Sequence, residues 1–484
     1  MRHARFRLAA TLSVLALVVG CGGKSVPPGA GATAGASGQA GTTPGTAGSG
    51  SAGSGTAGGG AAGSGSAGAG SGAAGTGSAG AGGVAGGAAG TGVVVLLPDP
   101  SLTPLRLVFP TYGTTDQAEV LVHGTGHLLK SVTVNKLPAQ TTDGWETWKL
   151  PQALAAGDNP ILVEAIDQQD KPVPPVSVVV TRSATLFRGA GPPTTTTEPS
   201  GISASADGSS LHVANGNWGS MSVDVKTGNT TFMPHNLSGN ADPTFRDAVF
   251  VEKHGRVYMP SGGTGAFYTD VATGNLYTLP ALPATADDGQ FMRIAYRESD
   301  DRLITIGSTT DGVCTLLAID PLSGARAVLA AGLKNIQSFA FDPTRGVVYT
   351  SVYYQARVSS LTLSDGTKAM LPAAGAGAPA PNGITDLAVC PGAPVIYALE
   401  ASKTPSQIDV FDLTTGAGQI LVGPANLGRG VAAVDLNAIT CQNGVIFASR
   451  NQWVENAGNP DHNMILAIDP ATGDRLVVSY VAKP

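Results

Sequence analysis

Asp247, Asp386 and Asn437 are the side chains best typed to hold a hard cation in this 484-residue chain. Each falls near the start of an apolar strand pattern, at matching places in repeated segments, together with Ser203, Arg293 and Ser338. Oxygen ligands converging on one axis suit Ca²⁺ or Mg²⁺. Arg293, next to Asp247 in repeat order, opposes that reading because a guanidinium repels a cation. The alternative is a salt-bridged, hydrated lining that needs no metal, and ion pairs and water satisfy such linings routinely. That alternative is the expectation, and no other cofactor is expected.

A second set lies between strand patterns: Trp218, Tyr353 with Tyr354, Glu400, and Trp453, Glu455, Asp461 and His462 in the longest loop, 450–463. Aromatic rings beside carboxylates suit recognition of a sugar or peptide, because amphipathic rings supply contact area. The competing reading is a set of variable, solvated loops. No nucleophile elbow, His-rich metal motif or phosphate loop occurs, so no catalytic residue is assigned. Cys390 and Cys441 stand at near-equivalent strand ends in adjacent repeats. They can pair if their Cα atoms come within about 7 Å, and neighbouring repeats can hold them farther apart than that.

The elements that must position these residues repeat. The sequence Asp-x-x-Thr/Ser-Gly occurs at Asp224, Asp270, Asp320, Asp412 and Asp469, and a degenerate copy, Thr362 to Gly366, fills the one gap. The interval runs from 42 to 57 residues. Strand patterns flank every copy, and two more lie upstream, as in Ser338 to Phe341 and Val347 to Tyr349. Asp caps the turn through its side chain and Gly supplies positive φ. Four strands per unit at this period predict a β-propeller of six blades over 195–484. Leu211-His212-Val213-Ala214-Asn215, followed by Met221 to Asp224 and Thr227-Gly228, resembles the YVTN/NHL-like propeller repeat. The resemblance implies the fold and leaves function open, because propellers host many activities. Six-bladed sugar lactonases place a divalent metal in the channel, and likeness to them would make Asp247, Asp386 and Asn437 its ligands.

Ahead of the repeats, 93–187 reads as short strands separated by turn chemistry such as Asp143-Gly144 and Gly157-Asp158-Asn159. That spacing suits a β-sandwich. Val132 to Asn135, Trp145 and Val163 to Asp167 resemble bacterial immunoglobulin-like modules, which implies a spacer or a docking surface. Segment 22–92 is almost entirely Gly, Ala, Ser and Thr, cannot bury a core, and is expected to be a disordered stalk. Over 29–92 its ends would average on the order of 45 Å apart, at about 5–6 Å times the square root of length.

The first 21 residues read as an export address. Arg2, Arg5 and Arg7 precede an apolar run, Leu8 to Val19, too short to span a membrane comfortably. Leu17-Val18-Val19-Gly20-Cys21 resembles a bacterial lipobox, with Val18 where leucine is usual. The resemblance implies lipidation of Cys21, anchoring in a membrane and, with Gly22 and Gly23 carrying no retention signal, the outer membrane. The net charge of −6 gives no basic footprint and argues against nucleic acid as a partner. Three functions fit: a lipid-anchored binding protein for a glycan, peptide or envelope protein; a lactonase-like hydrolase; or a structural spacer in an envelope assembly.

Overall fold

The computed structural model describes residues 103–192, 199–216, 219–234, 244–261, 265–280, 290–309, 312–352, 358–371, 383–401, 403, 405–424, 426–450 and 463–481. The expectations placed on 1–92 therefore lie outside the described residues.

The described chain is all-β. Its first part contains β1 (Leu105–Phe109), β2 (Gly113–Thr115), β3 (Glu119–Gly126), β4 (Leu129–Val134), β5 (Leu137–Pro138), β6 (Thr147–Ala153), β7 (Gly157–Asp167) and β8 (Pro172–Arg182). β1, β3 and β6 form one sheet, and β2, β8, β7, β4 and β5 lie in another. Alternation decides the faces. Val120 and Val122 of β3, Val132 and Val134 of β4, and Ile161 and Val163 of β7 share one core with Trp148 of β6. Trp148 donates its indole N–H to the Thr125 carbonyl, 3.2 Å away, so its polar edge is satisfied inside that core.

From Pro199 onward, six units of four antiparallel strands follow in chain order. Their first strands are Pro199–Ala204, Val249–Val251, Gln290–Arg297, Ile336–Asp342, Asp386–Val389 and Leu436–Gln442. Each first strand contacts the next, and the sixth contacts the first, so the units close a ring of propeller-like architecture. The repeated turns form as their chemistry dictates. Gly228, Gly274, Gly324, Gly366, Gly416 and Gly473 all have φ between 70° and 77°. The side chains of Asp224, Asp270, Asp320 and Asp412 accept the backbone N–H three residues on, at 2.7–3.0 Å. Those bonds favour the ionised form, and the Asp270, Asp320 and Asp412 carboxyls are held below the usual carboxylate range chiefly by them.

Among the described residues no strand is exchanged to close the ring: blade one is built from the start of the repeats and blade six from their end. Side chains join them instead. Ile202, Leu211 and Val213 pack with Ala438, Val445 and Phe447. Gln442 and Asn443 donate to the carbonyls of Ala206 and Asp207 at 2.5 and 2.9 Å, and Ser479 donates to Gly228 at 2.7 Å.

The β1–β8 module is fused to this seam. β2 pairs with the outermost strand of blade six, Arg475–Ser479, through Thr114 and Val477, so that blade six and the module share a nine-stranded sheet. Leu476 enters the module core. His123 meets the buried Asp469 of the blade-six turn at 2.8 Å, and Arg429 joins Glu119 to Asp474 at 3.1 and 2.6 Å. Arg188 follows β8 and donates to the carbonyls of Val225, Lys226 and Val478, touching blades one and six together.

Candidate functional site

The inner ends of the blades gather the sequence-predicted channel residues. In blades four and five, Ser338 and Asp386 stand opposite the penultimate residue of the second strand, Ser351 and Leu399. By the same rule Gly201, and not Ser203, holds this place in blade one, because Gly201 pairs with Ala214 while Ser203 pairs with His212. A side chain at Gly201 would put its Cβ 2.3 Å from Asp247 Cα, so the approach of blade two excludes one. In blade six the place belongs to Ala438, and Asn437 lies one residue earlier in a bulge.

These residues tie the ring together. Asp247 of blade two accepts the Ile294 N–H of blade three at 3.0 Å, and Asp386 of blade five accepts the Ile439 N–H of blade six at 2.8 Å. Ser338 donates to Asp386 at 3.0 Å from blade four, and Phe250 N–H donates to Ser203 at 3.0 Å across blades one and two. Asn437 donates its amide to the Pro199 carbonyl at 2.5 Å, latching blade six to blade one.

Arg293 of blade three occupies the position between the two carboxylates, 4.0 Å from Asp247 and 3.5 Å from Asp386. It also donates to the Thr385 carbonyl of blade five at 2.6 Å, so it reaches across the ring. Burial pushes the Asp247 carboxyl up toward about 7, Arg293 opposes that shift, and Asp386 adds to it. A guanidinium thus supplies the positive charge for which the sequence offered a divalent ion as the alternative.

Thr385 connects this cluster to a second one. Its hydroxyl donates to the Leu399 carbonyl at 3.1 Å and accepts the Ala401 N–H at 3.3 Å, gripping both sides of Glu400. Glu400 ends the second strand of blade five, Val395–Glu400, opposite Gln407. It was expected on an exposed loop; it is fully buried, because strand pairing continues to its position. Asp409 lies on the same face of the third strand, Gln407–Asp412, and is buried too. Gln407 donates to Asp409 at 2.8 Å. Lys403 lies 3.0 Å from one Glu400 oxygen, as a charge contact without hydrogen-bond alignment. The other Glu400 oxygen and one Asp409 oxygen have no hydrogen-bond partner among the described residues. Burial pushes the Asp409 carboxyl up to about 7, and Gln407 opposes while neighbouring Glu400 adds to the rise. Burial and the neighbouring Glu400 thus favour the protonated form of the Asp409 carboxyl near neutral pH. Asp409, Gln407 and Thr385 were not singled out from the sequence, although the polar alternation of Gln407 and Asp409 within an apolar strand is a readable signal.

Trp218, Tyr353, Tyr354, Trp453, Glu455, Asp461 and His462 lie outside the described residues, as does Cys21. Cys390 and Cys441 are joined by a disulfide with Cα atoms 4.8 Å apart, linking blades five and six at the end opposite Glu400.

No protein-family model matches the chain, and no curated protein is found similar to it. Among solved structures it is similar to a chain in the crystal structure of a nidogen/laminin complex, at 13% identity and a TM-score of 0.40, covering 54% of this chain and 89% of that one. The propeller-like fold rests on the sheet topology, not on this likeness.

Proposed function

We propose that the chain is a lipid-anchored binding protein of the cell envelope. In this reading Cys21 carries the anchor, 22–92 is the stalk, and an immunoglobulin-like module spaces a six-bladed propeller from the membrane. The loop face joining second to third strands, with Trp218, Tyr353, Tyr354 and the 450–463 loop, engages a glycan, a peptide or another envelope protein. The supporting observation is the use made of the ring axis. Asp247, Arg293, Asp386 and Asn437 are committed to bonds between blades, and Arg293 neutralises the carboxylates that a metal would need. Chemistry at the axis would have to break those bonds, whereas recognition by the loops leaves them intact.

The second reading is a metal-dependent hydrolase of the sugar-lactonase type, and the observation that favours it is the burial of the Glu400 and Asp409 carboxyls with oxygens that lack hydrogen-bond partners among the described residues. Metal analysis and thermal melting of the full chain with and without EDTA separate the two. A stoichiometric divalent ion whose removal lowers the melting temperature would sink the binding-only reading. The binding reading expects no EDTA effect, together with saturable capture on an array of glycans and envelope extracts that Trp453→Ala and Trp218→Ala weaken.

A further inference from the structure

The outermost strands of the six blades are not equivalent. They run Thr230–Pro234, Leu276–Thr278, Arg326–Lys334, Lys368–Met370, Gly418–Val422 and Arg475–Ser479. Five span three to five residues; that of blade three spans nine. Short edge strands, prolines and internal charges protect sheet edges from pairing with other chains. Arg326–Lys334 is long, carries no proline, and is uncharged from Ala327 to Leu333, with Val328 64% exposed; two bulges, at Leu329 and at Ala331–Gly332, are its only interruption. It pairs with Val313–Ile319 on its inner side, and among the described residues no strand pairs with its outer side. The molecule already adds a foreign strand to one outer edge, since β2 sits on blade six.

A groove of about 250 Å³ runs from this strand toward blade four. Leu333, Ile336, Val352 and Leu361 line it, and Lys334 and Lys368 stand at its rim. Both lysines are exposed. Neither makes an ion pair or side-chain hydrogen bond among the described residues. No acidic residue lines the groove, although the chain as a whole carries a net charge of −6.

We propose that the outer edge of blade three docks an extended apolar peptide segment flanked by carboxylates, which adds as a fifth strand. Main-chain hydrogen bonds to Arg326–Lys334 supply affinity, apolar side chains on one face enter the groove, and the flanking carboxylates meet Lys334 and Lys368. A second copy of the chain fits worse. Antiparallel self-pairing centred on Ala330 sets Arg326 opposite Lys334 twice, and like charges directly opposite destabilise a strand pair. This surface is separate from the loop face, and the proposal does not rest on the reading of that face.

The test uses the full chain and a fluorescein-labelled heptapeptide of alternating valine and threonine with glutamate at each end, read by fluorescence anisotropy. Saturable binding is expected. A lysine-ended version binds about fivefold more weakly, the size of two exposed ion pairs. A version N-methylated at alternate residues, which cannot form the ladder, does not bind. Lys334→Glu combined with Lys368→Glu inverts the preference between the two unmethylated peptides, and both positions are exposed, so unchanged melting confirms the fold. Absence of saturable binding overturns the proposal, as does equal binding of all three peptides. Sedimentation showing a dimer that Val328→Lys dissolves would assign the edge to a second copy and overturn it as well.

Discussion

Arg293→Met removes the guanidinium from between Asp247 and Asp386 while keeping an unbranched apolar stem. The side chains of Arg293, Asp247 and Asp386 are 11%, 15% and 7% exposed, so the pair lies in a poorly solvated place. Removing one partner of a buried ion pair costs about 3–5 kcal/mol, because the remaining charge is stranded. For a ring of this size that is a fall of roughly 6–20 °C in melting temperature, at about 2–4 °C per kcal/mol. The loss depends on pH in a fixed direction. The Asp247 carboxyl is already raised, to about 7, chiefly by burial, and Arg293 is the group that holds it down. Without Arg293 it rises further. A carboxyl raised on folding contributes stability that is fully present below the unfolded value, about 3.9, and is lost as pH rises through the folded value. The variant therefore loses less at pH 5, where Asp247 takes a proton, than at pH 8, where it must stay charged or remain protonated at increasing cost. Adding Asp247→Asn and Asp386→Asn should recover much of the loss by removing the stranded charges. Urea melts followed by circular dichroism at pH 5 and pH 8 measure all of this. Arg293→Met within 1 kcal/mol of the parent at both pH values, by the same about 3–5 kcal/mol scale, would refute the electrostatic latch.

Replacing Cys390 and Cys441 together by alanine opens a cross-link of sequence separation 51. The chain-entropy relation puts the loss at about 4 kcal/mol, and melts of parent and double variant that coincide would count against the bond. Asp409→Asn removes a carboxyl raised to about 7 by burial, so its stability relative to the parent should grow as pH rises from about 4 to 7. A difference between the two proteins that is flat with pH contradicts the raised value. Arg188→Ala deletes donors to three carbonyls at the blade one–six seam and should cost about 2–3 kcal/mol, detected as faster proteolysis between blades. His212 is held down at about 4 by burial. Acidification from about 6.5 to 4 should therefore reduce stability by forcing a proton onto it, an effect absent in His212→Gln.

The turns at Asp224, Asp270, Asp320, Asp412 and Asp469 were legible because they are local. One carboxylate and one glycine four residues apart determine the hairpin, and everything needed lies within five residues. The repeat in turn determined the number of four-stranded units. The ring residues were partly legible for the same reason: Asp247, Ser338 and Asp386 follow the repeat in step. Ser203, Arg293 and Asn437 did not, since Gly201 takes the place in blade one and bulges in blades three and six shift the register, and bulges follow from what packs against a strand rather than from its own residues.

Other features belong to the tertiary structure. β2 is three residues long, follows Pro110, and shows no alternation, so nothing in its sequence marks it as a strand. It forms between two edges that offer backbone groups, pairing with β8 of the module along its whole length and with blade six at Thr114. Glu400 reads as a loop residue after an apolar run, yet pairing with Gln407 extends the strand and buries it beside Asp409. Whether Cys390 and Cys441 meet depends on the angle between two blades, which only the closed ring sets. Local chemistry in the sequence thus determined turns, strands and their repetition. Register, burial and the proximity of charges arose where elements distant in sequence compete for the same backbone hydrogen bonds and the same dry volume.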